Sequence, residues 1–201
     1  MDTARRSNWY WPRAVHFTAG IRIRGQKEDR PIKDISEFPS DLFQISRVSL
    51  ARVSELPEDL LKTLAGLTDP DLTHLEVLDL AGAPFQDGHL EQVFIFCRRH
   101  PLFTSYPEIR NRIHEFDRGE YVHLVELSLA NTQISDAGLA HLKELKSLER
   151  LSLSGCNISD EGLKNLLVLT NLQEVDLRQT KVTASGKAAL HKALPKCRIL
   201  L

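Results

Sequence analysis

The sequence predicts an α/β solenoid, a curved stack of short units with a parallel inner sheet and outer helices. One observation is a fixed period: Leu124, Leu148 and Leu172 stand 24 residues apart. A fixed period decides architecture before local propensity does. The second is a pair of apolar residues three and five places after each leucine, namely Leu127 and Leu129, Leu151 and Leu153, and Val175 and Leu177. The third is a run at helical spacing in the same unit, shown by Leu163, Leu166 and Leu169.

Apolar residues two apart mark a strand with one buried face, whereas a three-to-four spacing marks a helix. Each unit therefore reads as strand, turn and helix. Ser135, Ser159 and Thr183 precede the helical stretches. There a hydroxyl oxygen accepts from an orphan N–H of the first turn. Asp136 and Asp160 come next, where a carboxylate favours the positive end of the helix dipole. Gly138, Gly162 and Gly186 recur at one slot and are expected to let the helix and strand layers approach, the alternative being a backbone angle that only glycine adopts freely. One such unit cannot bury its own apolar side, so the copies must stack.

The strings Ile134-Ser-Asp-Ala-Gly-Leu139 and Ile158-Ser-Asp-Glu-Gly-Leu163 resemble the leucine-rich-repeat family, in its 24-residue helix-containing, bacterial or cysteine-containing-like subtypes. The resemblance covers residues 124–194. A looser copy holds Leu75, Leu78, Leu80, Ala83, Phe85 and Leu90, and another begins at Ile45 with Val48, Leu50, Val53 and Leu60. The resemblance implies that Thr132, Cys156 and Thr180 leave the strand and bond neighbouring backbone, which makes Cys156 a buried small residue rather than a reactive thiol.

The repeat domain is expected over 45–201, with residues 1–44 as an N-terminal cap or irregular segment. Val15, Phe17, Ile21 and Ile23 around Ala19-Gly20 suggest a hairpin over the first unit. Trp9, Tyr10 and Trp11 are read as part of that cap, the competing reading being a binding site with Arg5, Arg6 and Arg13. At the other end, residues 195–201 follow a proline-stopped helix and form a C-terminal cap. Residues 97–121 break the period as an irregular insert or a degenerate repeat. Its mixed aromatics and charges make Arg98, Arg99, Phe103, Tyr106, Arg110 and Arg112 candidate contact residues.

The family resemblance also implies a concave face built from residues between the buried strand positions, where partners bind. Its columns run Arg47, Val77, Glu126, Arg150, Glu174; then Ser49, Asp79, Ser128, Ser152, Asp176; then Ala51, Ala81, Ala130, Ser154, Arg178. Glu126, Arg150 and Glu174 alternate in sign and are expected to hold register; with Arg47, Asp79 and Arg178 they complete the candidate protein-binding set. The face lacks clustered tryptophan, tyrosine and arginine, the usual anchors of a tight interface.

With 26 basic against 27 acidic side chains, no global field gathers nucleic acid or an anionic membrane. Three cysteines without a CxxC pair signal neither a disulfide framework nor zinc. The eight histidines form no metal-binding motif, and no phosphate-cradling glycine motif occurs. No catalytic residue, metal or cofactor is assigned. No stretch reads as a signal peptide or membrane span, so the chain is expected to be soluble and cytoplasmic. The functional expectation is a non-enzymatic module for an unidentified protein partner. The alternatives are a structural subunit of a larger assembly, or an enzyme with a site built by the 97–121 segment around His100, His114 and His123.

Overall fold

Alternation over three residues is the briefest signal a strand gives, and here it recurs once per unit. The structure, a computed structural model, describes residues 20–23, 30–31, 45–56, 76–98 and 124–201. Its strands are β1 (Gly20–Ile23), β2 (Arg30–Pro31), β3 (Ile45–Ser49), β4 (Val77–Asp79), β5 (Glu126–Ser128), β6 (Arg150–Ser152), β7 (Glu174–Asp176) and β8 (Arg198–Leu200). They form one sheet, ordered β2-β1-β3-β4-β5-β6-β7-β8. From β3 to β8 every pairing is parallel.

One apolar side chain per strand sets the register. Val48, Leu78, Leu127, Leu151, Val175 and Ile199 are successive partners across the sheet, and all are buried. A slip of one residue would expose the whole row, which is why pairing holds in strands this short. The row beside it pairs Val77 with Glu126, which lies 49 residues on, whereas Glu126, Arg150, Glu174 and Arg198 follow at 24. Since β4 and β5 are neighbours, the longer step between them inserts no strand.

The chain leaves each of β3 to β7 through a residue of positive φ: Arg52 (61°), Gly82 (70°), Asn131 (56°), Gly155 (72°) and Gln179 (58°). The N–H groups of the first four donate to the next unit, on Ala81, Ala130, Ser154 and Arg178 carbonyls at 2.7 to 2.9 Å. This geometry, rather than side-chain chemistry, is common to the turns. Glycine adopts it freely, and other residues give up about 1–2 kcal/mol to hold it.

The outer layer holds α1 (Asp87–Arg98), α2 (Asp136–Leu139) continued by a 3-10 helix (Ala140–Glu144), a 3-10 helix (Gly162–Leu166) and α3 (Ala184–Ala193). The expected helix is thus an α-helix in α1 and α3, a short α-helix continued by 3-10 geometry over residues 136–144, and 3-10 geometry at Gly162–Leu166. The leucine spacing accounts for this. Leu139, Leu142 and Leu145, and likewise Leu163, Leu166 and Leu169, recur every three residues and are all buried. Three residues per turn superimposes such a row on one side, whereas 3.6 would rotate it away from the sheet.

The recurrent glycines serve a purpose different from the expected approach of helix to strand. Asp87 accepts from the Ser135 N–H at 2.9 Å and Oγ at 2.5 Å; Asp136 accepts from Ser159 N–H at 2.8 Å and Oγ at 2.5 Å; Asp160 accepts from Thr183 N–H at 2.8 Å and Oγ at 2.7 Å. A Cβ at Gly138, Gly162 or Gly186 would collide with the Oδ1 of Asp87, Asp136 or Asp160 respectively. Each glycine makes room for a carboxylate arriving from the preceding unit. The aspartates expected to favour their own helix dipole therefore also latch the following one. The capping expectation stands, since Ser135 Oγ accepts from Ala137 and Thr183 Oγ from Gly186, both at 3.3 Å.

At the N-terminal edge, β1 runs antiparallel to β3 and pairs on its other side with β2. The hairpin expected to turn at Ala19-Gly20 is not formed that way: Gly20 lies within β1 and pairs with Pro31 and Ser49. Trp9, Tyr10 and Trp11 fall outside the described residues. At the C-terminal end, α3 stops at Ala193 ahead of Pro195, and the chain returns as β8 beside β7. The apolar interior is continuous from Val48 to Ile199, and Thr132 is the buried polar residue among those described.

Two outcomes are expected of the latch. Gly162→Ala should lower stability by about 1–3 kcal/mol through overpacking against Asp136. In a urea double-mutant cycle, Asp136→Ala should recover part of that loss, and strict additivity would show that the two do not touch. Thr183 holds the Asp160 carboxyl below its ordinary range, chiefly through the hydroxyl hydrogen bond and then the backbone one. A depressed folded-state value means the latch contributes above about pH 4 and is lost as pH falls through the lower folded-state value. Asp160→Asn should flatten the acid limb of the stability–pH curve, measured by urea unfolding.

Candidate interaction surface

The inner face of the sheet is set by the strand alternation: as Leu127, Leu151 and Val175 turn inward, their neighbours on either side face out. The columns read from the sequence are the rows of the sheet. Arg47, Val77, Glu126, Arg150 and Glu174 are register partners, and so are Ser49, Asp79, Ser128, Ser152 and Asp176.

Charge alternates along the first row and forms two ion pairs. Arg150 reaches Glu126 at 3.1 Å, with side chains 50% and 34% exposed. The second pair, Arg198 with Glu174 at 3.1 Å, extends the row to a residue that the sequence columns left out. Its signal was available, because Arg198 stands 24 residues beyond Glu174. Exposed pairs of this kind contribute little to stability, about 0–1 kcal/mol. They remain free to exchange one partner for another.

The second row is quieter. Ser49 Oγ donates to Asp79 at 3.2 Å, and Asp79 Oδ1 accepts from the Ala81 N–H at 3.1 Å. Asp176 repeats that turn with Arg178 and adds a two-pronged side-chain contact, Nε at 2.9 Å and NH2 at 2.7 Å. The Arg178 hydrogen bond holds the Asp176 carboxyl below its ordinary range against a partial burial that raises it. Arg178 is thereby folded onto its own strand exit. Three inter-strand spacings of about 4.8 Å each separate Asp79 from Asp176, too far for a carboxylate dyad.

Behind the face, the turn slot is occupied as the repeat pattern implies. Thr132 Oγ donates to the Leu129 carbonyl at 2.6 Å, Cys156 Sγ to the same carbonyl at 3.0 Å, and Thr180 Oγ to Leu177 at 2.6 Å. Cys156 is a buried small side chain bonded to backbone. Of the candidate contacts in the interrupting segment, Arg98 is the last residue of α1, while Arg99, Phe103, Tyr106, Arg110 and Arg112 lie outside the described residues, with His100, His114 and His123. Among the described residues no three histidine, cysteine or acidic side chains gather as metal ligands would, and no helix is long and apolar enough to cross a membrane.

One strand per unit, parallel pairing in register from β3 to β8, and a hydroxyl or thiol bonded to backbone at the turns after β5, β6 and β7 make a single architecture. Residues 122–165 match the family model for leucine-rich repeats, in two copies. The chain has the leucine-rich-repeat fold, and residues 122–165 carry the family's repeat. No curated protein matches it. Among solved structures, the leucine-rich-repeat chain is similar to the Mex67:Mtr2 subunits of Chaetomium, at 19% identity and TM-score 0.46, covering 71% of this chain and 88% of that one. It is similar too to leiomodin-1 actin-binding site 2, at 14% identity and TM-score 0.49, covering 75% and 79%. A third is internalin C2 of Listeria monocytogenes, at 18% identity and TM-score 0.47, covering 77% and 61%.

The last repeat also sets the reactivity of a thiol. Burial, and then the charge of Glu174, push Cys197 up to about 11. At pH 8 its thiolate is scarce and covered, so iodoacetamide should label it far more slowly in the folded protein than in urea. Equal labelling rates at the Cys197 peptide, read by mass spectrometry, would show that the C-terminal strand is not packed.

Proposed function

We propose that this leucine-rich-repeat chain is a protein-interaction module that binds through its concave face, with residues 97–121 as a second contact region. The supporting observation is the exposed row Glu126, Arg150, Glu174 and Arg198. Its two ion pairs sit on a rigid ladder, cost little to open, and offer alternating charge at a fixed strand spacing of about 4.8 Å. A partner with complementary charges at that spacing replaces each internal pair with an intermolecular one, and the fold is left intact. Electrostatic complementarity of this kind gives register and on-rate more than raw affinity. The absence of large aromatic anchors from this row fits a moderate, specific complex rather than a near-irreversible one.

Leucine-rich repeats generally mediate protein–protein contacts, and that generality supports the class of function, while the charged row carries the site. Arg98, Arg99, Phe103, Tyr106, Arg110 and Arg112 belong to the second region on sequence grounds, because arginines and aromatics dominate interface energetics.

The test is crosslinking with a carboxylate-coupling reagent in material from the native source, since the row presents Glu126 and Glu174 and its neighbour presents Asp79. Crosslinks from these residues, or from 97–121, are expected to reach another protein. The charge reversal Arg150→Glu should remove the crosslinks at Glu126 and Glu174 while changing the unfolding free energy by about 1 kcal/mol or less. If all intermolecular crosslinks fall on the outer layer and survive that reversal, the concave assignment is wrong.

A further inference from the structure

The charge of this chain is nearly balanced overall and strongly segregated along its length. Residues 177–201 carry Arg178, Lys181, Lys187, Lys192, Lys196 and Arg198 with no acidic residue, whereas residues 54–92 carry nine acidic side chains against Lys62 alone. On the C-terminal repeat, Arg178 and Arg198 are neutralised by Asp176 and Glu174 on the inner side. The lysines are not. Lys181, Lys192 and Lys196 are exposed and Lys187 is half-buried, and none has a side-chain hydrogen bond or ion pair with any described residue.

Their placement follows α3. Lys181 lies two residues ahead of the Thr183 cap, Lys187 and Lys192 lie within the helix, and Lys196 lies two residues past the Leu194 cap. Gly186 and Leu190 are the buried stripe of this helix, so the remaining faces are open. His191 and Lys192 favour the negative end of the helix dipole, which is a structural reason for their sign. No such reason covers Lys181 and Lys187. They stand near the positive end, where the negative charge is the Asp160 carboxylate latched on the Thr183 cap, and neither lysine forms an ion pair with it. The four lysines form no ion pair with any described residue, and an acidic ligand would supply their counterions.

We infer that the outer side of the last repeat, α3 with its two flanking turns, is a docking surface for a short acidic segment of a partner protein. Charge complementarity carries the choice of occupant. Lysines are point charges suited to carboxylates, and this surface has no unpaired arginine fork and no aromatic platform of the sort that stacks nucleic-acid bases. A long polyanion or an anionic bilayer would also approach Asp87 and Glu91 of α1 on the same outer layer, which a short segment avoids. Helix α3 is about 15 Å long, so roughly five extended residues are enough to follow it. This inference rests on the reading of the chain as a protein-binding module, and it names a second surface and the chemistry of its ligand.

The test is fluorescence anisotropy with a labelled peptide of about ten residues, alternating glutamate and alanine, titrated with the full chain. Binding is expected, weakening as salt rises, and Lys187→Glu with Lys192→Glu should weaken it at least tenfold. Charge reversal at Lys143 and Lys164, elsewhere on the outer layer, should leave it unchanged. Thermal unfolding checks that each variant folds, and Lys187→Gln with Lys192→Gln replaces the reversal if it does not. The inference is overturned if the peptide fails to bind, or binds all variants alike. It is equally overturned if double-stranded RNA or phosphatidylserine vesicles bind more tightly through the same lysines, or if sedimentation shows that those lysines join two copies of this chain. Because the readout is confined to α3, its failure leaves the concave-face crosslinks standing, and loss of those crosslinks leaves this surface untouched.

Discussion

A unit of strand, turn and short helix has one apolar side and nothing of its own to cover it. Everything else in this molecule depends on how that side is buried. The strands are three residues long from β4 onward, so neither their hydrogen bonds nor their propensity suffices to hold them. The row Val48, Leu78, Leu127, Leu151, Val175 and Ile199 holds them, with each neighbour burying the next. Stability in such an array is a sum of contacts between adjacent units, and its cooperativity is correspondingly one-dimensional.

That dependence on neighbours explains the second layer of contacts. If units are only as stable as their junctions, polar groups at the junctions must be satisfied across them. Asp136 and Asp160 do so by accepting both the N–H and the hydroxyl of the next cap, and Asp87 does the same across the longer step to Ser135. The 49-residue step between β4 and β5 therefore closes with the same latch as a 24-residue one. A longer step between neighbouring strands is compatible with the array so long as the apolar row and the carboxylate are delivered across it. His89 occupies the slot that is glycine in the later units, a substitution that the sequence alone leaves looking like a defect in the repeat.

The two surfaces divide the functional reading. The inner face is polar, internally paired and geometrically regular, which suits recognition by replacement of weak ion pairs. The outer side of the last repeat holds lysines with no counterion among the described residues, which suits capture of carboxylates. The first surface offers regular geometry and the second offers unbalanced charge.

The period, the strand positions and the order of the columns between the buried positions were legible in one dimension, while the concave face and the burial of Cys156 came with the family resemblance. The first three are consequences of spacing. The sequence also held the capping hydroxyls, because a cap acts within its own turn. It did not determine the purpose of the glycines at 138, 162 and 186, since the atoms that exclude a Cβ there belong to the preceding unit. The 3-10 geometry was legible in the three-residue leucine spacing yet easily read as an ordinary helix, because only packing against the sheet penalises the rotation of an α-helical row. Arg198 joined the charged row only when β8 was seen to pair with β7. Each of these is a contact between units, and the sequence of a unit records its own periodicity far more plainly than the identity of the atom across the junction.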